Sequence, residues 1–471
     1  MPTLPLLTHI SLDKIVAWQK GAPISVEKFL ADAAHLAVLL PSGKHILNIC
    51  RDRYHFAVGL AAAIISNKVS LLPPTHTPEM VQQLQAFSAE VFCLHDNDDC
   101  TIALPKLRYP AMPEHAASNM AIPQIDAQQL VAIVFTSGST GTPIPHAKKW
   151  GSLVRNVQAQ AARLGLSENI GLSENKSYSI VGTVPPQHMY GFESTILLPL
   201  QSGNALSSTQ PFYPADICSA LQETPAPRIL VSTPLHLRLL LDAELEVPEL
   251  VLALSATAPL SNSLAHKAEA SLKAPLLEIY GSTETGQIAT RRTTQGEAWQ
   301  LFPDVRLTQM IEHICAVGGH LESPVPLSDI IESTSAEHFL LHGRTQDLIN
   351  IAGKRSSLAN LNHHLNAIDG VIDGAFFMPD EASHDHVTRL SACVVAPSLT
   401  ASNLLAALRT RIDPVFLPRP LLFVEALPRN STGKLPREAL KKLIANHVNP
   451  QHKTTEQSTT QPAQKMQNKR L

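Results

Sequence analysis

Charge and reactive sulfur are both scarce in this chain. Only 16% of the 471 residues are Asp, Glu, Lys or Arg, and their balance is a net charge of −3 with a pI near 6.7. That balance gives no electrostatic footprint for nucleic acid. The six cysteines (Cys50, Cys93, Cys100, Cys218, Cys315 and Cys393) are scattered, without a C-x-x-C pair. This argues against a zinc site or a disulfide framework and fits a reducing cytoplasm. The opening MPTLPLLTHISLDK has neither the basic region nor the long apolar core of a secretory signal, so a cytoplasmic protein is expected. The longest apolar stretch, FAVGLAAAII at residues 56–65, is shorter than the roughly 20 residues a membrane span needs and reads as a buried helix.

What is present is an apolar, globular composition, 44% hydrophobic over 471 residues, enough for two or more domains with ample core. KHILNIC (44–50), the 56–65 helix and KVSLLPP (68–74) alternate as strand, helix, strand. SYSIVGTVP (177–185), PRILVSTP (227–234), ELVLALSATAPL (249–260) and APLLEIYGSTE (274–284) repeat one design, an apolar strand running into small polar residues. Ligands of helix-covered sheets sit at the carboxyl ends of strands, so these ends point to one cleft. After LLHGRTQDLINIAGKR (340–355) the pattern becomes a shorter α+β segment, and from about residue 447 it is polar and Gln/Thr-rich, which predicts a disordered tail.

One loop stands out. LVAIVF (130–135) reads as a buried strand, and TSGSTGT follows it with seven Ser, Thr or Gly residues in a row. Backbone N–H groups and hydroxyls after a strand can converge on an anion, and Gly138 and Gly141 permit close approach. The loop contains neither the Gly-Lys-Ser/Thr of a Walker loop nor G-x-G-x-x-G. From these residues alone it is either a phosphate-binding loop or a surface linker.

Five stretches then occur in order: TSGSTG (136–141), VPPQHMYG (184–191), YGSTETG (280–286), GRTQDLINIAGKR (343–355) and PRNSTGKLPREAL (428–440). Together they resemble the adenylate-forming superfamily of acyl- and aryl-CoA synthetases, peptide-synthetase adenylation domains and luciferases. The resemblance covers all but the tail. It implies an α/β fold: a large N-terminal adenylation domain of β-sheets with flanking helices over residues 1–343, a hinge at 344–347, a small mobile α+β lid domain at 348–446 and the tail at 447–471. It also implies a reaction in two halves. A carboxylate attacks the α-phosphate of ATP to give acyl-AMP and pyrophosphate, and a thiol then takes the acyl group.

Site residues follow from the same resemblance. Thr136, Ser137, Gly138, Ser139, Thr140 and Gly141 would hold the β- and γ-phosphates. Glu284 would ligate Mg2+, a hard cation that takes one carboxylate plus water and phosphate oxygens. Tyr280 would stack on adenine, with Gly281, Ser282 and Thr283 beside it in the nucleotide site. Asp329 would bind the ribose hydroxyls, although Leu327 and Ser328 precede it where the family has Thr-Gly, and Arg344 would reach ribose or phosphate. His188 would line the acyl pocket and gate entry of the acid, with Met189 and Tyr190 as pocket wall or core. Lys434 would contact carboxylate and α-phosphate. Gln346, followed by Asp347, occupies the hinge position, and Gly353 the place where the backbone passes the pantetheine thiol.

The departures matter too. Ile144 and Pro145 stand where the family loop continues with Lys-Gly. Lys148 or Lys149 would fold back over the phosphates with Trp150 anchoring the turn, or both are solvated residues starting a helix. A delayed lysine before tryptophan is similar to ligases of carrier-protein-dependent lipid and aryl-polyene pathways. The expected activity is therefore an AMP-forming ligase for an aryl or fatty carboxylic acid. It would use ATP and Mg2+ with CoA or a phosphopantetheine carrier as the thiol, and an acyl carrier protein is the partner considered. Two alternatives stand beside it: an adenylate-binding protein with weakened catalysis, and an adenylase that passes its acyl group to an amine.

Overall fold

The computed structural model describes residues 2–112, 121–137, 143–166, 177–311, 313–344, 348–351, 354–378, 390–430 and 433–448. Packing divides the chain into a large unit that runs to Ala367 and a small one that begins at Ile368. The large unit is α/β, as expected.

The large unit is built on two sheets. The first has six strands: His45–Asn48 (β1), Val69–Leu72 (β2), Val91–His95 (β3), Lys106–Arg108 (β4), Leu130–Ser137 (β5) and Pro143–Lys149 (β6), in the order β6-β5-β2-β1-β3-β4. All neighbours are parallel except β6, which pairs antiparallel with β5. As an edge strand, β6 tolerates Pro143 and Pro145, whose missing N–H groups would break a central ladder.

The second sheet has eleven strands. Its centre is Ser179–Gly182 (β7), Arg228–Ser232 (β8), Leu252–Ser255 (β9) and Leu276–Ser282 (β10), neighbours in that order and all parallel. From there it turns antiparallel through Gly286–Arg291 (β11), Trp299–Leu301 (β12), His338–Arg344 and Asp329–Ser333. In chain order the last two are β13 (Asp329–Ser333) and β14 (His338–Arg344). Every strand read from the sequence is present within a few residues of its predicted limits.

Two helices tie the sheets together. Helix α1 (Arg53–Ile65) is capped by Asp52, whose carboxylate accepts the N–H groups of Tyr54 and His55. Its apolar residues run around the whole circumference, which marks a helix buried on all sides. It packs against β1 and β2 of the first sheet and against Ala205–Ser207 of the second. Helix α2 (Trp150–Leu164) contacts β6 on one side and β11 on the other and ends at Gly165 in the left-handed conformation, φ +67°. Trp150 at its start is 1% exposed. A short π-helix, Phe192–Leu197, follows β7. No helix among the described residues is long and apolar enough to cross a membrane.

The small unit is α+β. Asp373–Phe377 (β15) pairs antiparallel with Ser391–Val395 (β16), and Leu421–Phe423 (β17) pairs parallel with β16. The helices Ala401–Arg409 and Arg437–Val448 follow β16 in the chain, and Leu440 of the second joins Ala375, Cys393, Val424 and Leu427 in one apolar cluster.

Candidate active site

The site is organised by the turn between β10 and β11. Strand β10 runs Leu-Leu-Glu-Ile and then Tyr-Gly-Ser, and the chain reverses through Thr283 and Glu284. The turn closes on itself: the Ser282 N–H donates to Thr285 Oγ1 at 3.0 Å, and the Thr285 N–H donates to Ser282 Oγ at 3.1 Å. Two glycines make the reversal possible. A Cβ on Gly281 would stand 2.2 Å from the Gly286 carbonyl oxygen across the ladder, and Gly286 itself has φ +67°.

Glu284 projects from this turn with its side chain 45% exposed. Its Oε1 lies 3.5 Å from Nε2 of His146, and that nitrogen lies 2.9 Å from the hydroxyl of Thr136. Thr136 is near the end of β5, just before the Ser/Thr/Gly loop. One imidazole therefore joins the foot of that loop to the turn carboxylate. Partial burial pushes the Glu284 carboxyl up, but hydrogen bonds from its own backbone and Ser282, with the charges of His146 and Lys148, outweigh it and hold the group below its ordinary range. Burial pushes the His146 imidazole down.

The lysine pair separates. Both residues belong to strand β6 and precede the helix, which begins at Trp150. The Lys148 ammonium donates to the carbonyl of Thr283 and lies 3.5 Å from that of Glu284. Lys149 points to the surface, 2.9 Å from Gln128 Oε1 and 2.9 Å from Glu322. On the buried side of the turn lies a polar cluster absent from the sequence reading. Glu193, in the π-helix, is 1% exposed, and a Cβ on Gly286 would stand 2.9 Å from its Oε1. Asn156 of α2 donates to the Gln287 carbonyl at 2.7 Å and contacts the His320 ring, whose Nε2 is 2.7 Å from the Thr285 carbonyl. Burial drives the Glu193 carboxyl up, opposed by Lys148 and Gln287, and drives the Lys148 ammonium down, opposed by Glu193 and Glu284.

Towards β13 the expected nucleoside residues lie together. The Tyr280 hydroxyl donates to Asp329 Oδ2 at 2.6 Å, and its ring packs against Trp299 and Phe339 at centroid distances of 5.5 Å each. Arg344 is the register partner of Asp329 across the β13–β14 ladder. His188 lies beyond the carboxyl end of β7, where its backbone carbonyl accepts the Phe192 N–H at 2.7 Å. In the small unit, Lys434 is exposed. Its N–H donates to Asn430 Oδ1 and its carbonyl accepts the Asn430 N–H, both at 2.9 Å, so Asn430 clamps the loop on which the lysine stands. Gly138, Ser139, Thr140, Gly141, Gln346, Asp347, Gly353 and the tail beyond Val448 lie outside the described residues, as do the side chains of Ser137 and Arg344.

The donor set fits Mg2+. Among the described residues no cluster of three His, Cys, Asp or Glu side chains offers a protein cage. Glu284 presents one half-exposed carboxylate beside a hydroxyl-rich strand end, which suits an ion that keeps its waters and takes its remaining oxygens from phosphates.

Comparison with known proteins gives the family and the fold. The model of the AMP-binding enzyme family matches residues 40–307, and the chain belongs to that family. It is 31% identical over 307 residues to 4-coumarate–CoA ligase of Rhodobacter capsulatus, covering 64% of this chain and 74% of that one. To 4-chlorobenzoate–CoA ligase of an Arthrobacter species it is 24% identical over 359 residues, 67% and 66% of the two chains. The fold matches ATP-bound MatB of Rhodopseudomonas palustris with a TM-score of 0.78 at 17% identity, covering 94% and 98% of the chains. It also matches the o-succinylbenzoate CoA synthetase of Bacillus subtilis in complex with its acyl-adenylate, with a TM-score of 0.77 at 16% identity over 94% and 99%.

Four site neighbours escaped the sequence reading: His146, Asn156, Glu193 and His320. His146 and Lys148 are two apart on one strand and so share a face, a signal hidden by the prolines before them. Glu193 had a signal as well, as the lone acid in the apolar run GFESTILLPL.

Proposed function

We propose that this chain is an ATP-dependent ligase that activates an aryl or fatty carboxylic acid as acyl-AMP and transfers the acyl group to the thiol of CoA or of a phosphopantetheine carrier. The observation that carries the reading is the convergence, within one unit, of Thr136, His146 and Glu284 on one side of the β10–β11 turn with Tyr280 and Asp329 on the other. This arrangement suits a nucleotide laid across the turn, its phosphates towards the loop at 136–141 and its nucleoside towards β13. The curated relatives, named as CoA ligases for 4-coumarate and 4-chlorobenzoate, support an aryl acid and CoA as the first pair to test.

Each residue has a defined task in this reading. Thr136 and the loop behind it hold the β- and γ-phosphates. Glu284 holds Mg2+, which would withdraw negative charge from the phosphate oxygens. Tyr280 lies against adenine, Asp329 accepts hydrogen bonds from the ribose hydroxyls, and Arg344 adds a cation to the same region. His188 lines the path of the acid. Lys434 supplies positive charge where carboxylate and α-phosphate combine, a point at which fixed charge lowers a barrier most.

The test is a single-turnover reaction of the purified protein with Mg·ATP and 4-coumarate, 4-chlorobenzoate or a fatty acid, followed by mass spectrometry. Acyl-AMP in the absence of a thiol, converted to a thioester on adding CoA or a holo-carrier protein, is the expected result. ATP hydrolysed to ADP with no adenylate from any acid would contradict it.

A further inference from the structure

The polar cluster on the buried side of the turn contains an acid and a base that the proposed chemistry does not use directly. Glu193 sits in the π-helix with 1% exposure, and its Oε1 has no hydrogen-bond partner. Burial pushes this carboxyl up towards its neutral form, with the charge of Lys148 opposing. The Lys148 ammonium spends its hydrogen bonds on the turn backbone: it donates to the carbonyl of Thr283 and lies 3.5 Å from that of Glu284. Strand β6 brings His146 to the carboxylate of the same Glu284, 3.5 Å from Oε1. One face of one edge strand therefore grips the turn twice, by its side-chain carboxylate and by its carbonyls.

A lysine buried only to balance charge would complete its shell with the carboxylate. Here the donors go to the two carbonyls that fix the direction of the Glu284 side chain. We infer that Lys148 is a positioning residue that holds the Thr283–Glu284 backbone from its buried side and so aims the Glu284 carboxylate at the metal. This rests on the ATP- and Mg2+-binding reading above. It also gives the delayed lysine a part that needs no contact with phosphate: Lys148 acts through Glu284, and Lys149 takes no part.

Calorimetric titration with AMP and with Mg·ATP separates the possibilities, because AMP binding needs no metal. Lys148→Met is expected to weaken Mg·ATP binding about tenfold, the scale of one lost charged hydrogen bond. AMP binding should stay within about twofold of wild type, and added Mg2+ should recover part of the loss. Lys148→Met also withdraws the positive charge that acts on the buried Glu193 carboxyl. The double variant K148M/E193Q leaves no titratable group at either position and is expected to fold while showing the same selective loss. Lys149→Met should change neither affinity. Equal loss of AMP and Mg·ATP affinity in the double variant, or Mg·ATP affinity left at the wild-type level, overturns the inference. Wild-type protein that binds neither nucleotide overturns the ATP-binding reading instead.

Discussion

The phenol of Tyr280, at the end of β10, donates a 2.6 Å hydrogen bond to Asp329 at the start of β13. The residue expected to face adenine and the residue expected to face the ribose are thus joined before any ligand arrives. Tyr280→Phe keeps the ring on Trp299 and Phe339 and removes only the donor. Thermal or denaturant unfolding is expected to show a loss of about 1 kcal/mol. Asp329→Ala, by removing the carboxylate itself, should weaken AMP binding about tenfold or more in a calorimetric titration.

The turn has little tolerance for a side chain on its inner strand. A Cβ on Gly281 would stand 2.2 Å from the Gly286 carbonyl oxygen, which is backbone and cannot rotate away. Gly281→Ala should cost about 2 kcal/mol or more by overpacking, measured by denaturant unfolding. Displacement of the turn should reduce adenylation even at temperatures where the variant is fully folded.

Lys434 gives a prediction of a different kind. It is exposed on a loop clamped by Asn430, so its removal should not affect folding. Lys434→Ala is expected to lower acyl-adenylate formation by about 100- to 1,000-fold, the cost of losing one charge aimed at a transition state. ATP binding should persist. Turnover equal to wild type would remove Lys434 from the chemistry.

Acid stability follows from two buried histidines. Burial lowers the His9 and His320 imidazoles from 6.5 to about 4, against opposing hydrogen bonds to the carbonyls of Asn204 and Thr285 respectively. Between these two values the unfolded chain binds protons that the folded chain refuses. The stability they contribute is therefore fully present above about pH 6.5 and is lost as the pH falls towards 4, by at most about 3 kcal/mol per histidine. Unfolding free energy measured from pH 7 to 4.5 should fall steeply, and His320→Asn should flatten the slope.

Strands β1, β2, β5 and β7 to β10 were legible because each is a mainly apolar run that stops at small polar residues, and the strand ends then located the cleft. Tyr280, Glu284 and Asp329 were legible as a motif set, and the structure places them around one turn. Strand β6 was not legible in the same way. Pro143 and Pro145 suggest a turn, and Lys148 and Lys149 suggest the start of a helix; an edge position in the sheet lets the prolines extend as strand instead. Lys148 meets the turn from an antiparallel edge strand and Glu193 from the π-helix. No local pattern carries that information, because an isolated acid or lysine is ordinarily a solvated surface charge.

Acid-dependent exchange of labelled pyrophosphate into ATP, with Mg2+ present and no thiol acceptor, tests the proposed chemistry most directly. Across a panel of aryl, hydroxy and fatty carboxylic acids, exchange should appear with one class of acid and vanish in Lys434→Ala. No exchange with any acid, in protein shown by titration to bind ATP, would contradict an adenylating ligase and leave a nucleotide-binding protein with weakened catalysis.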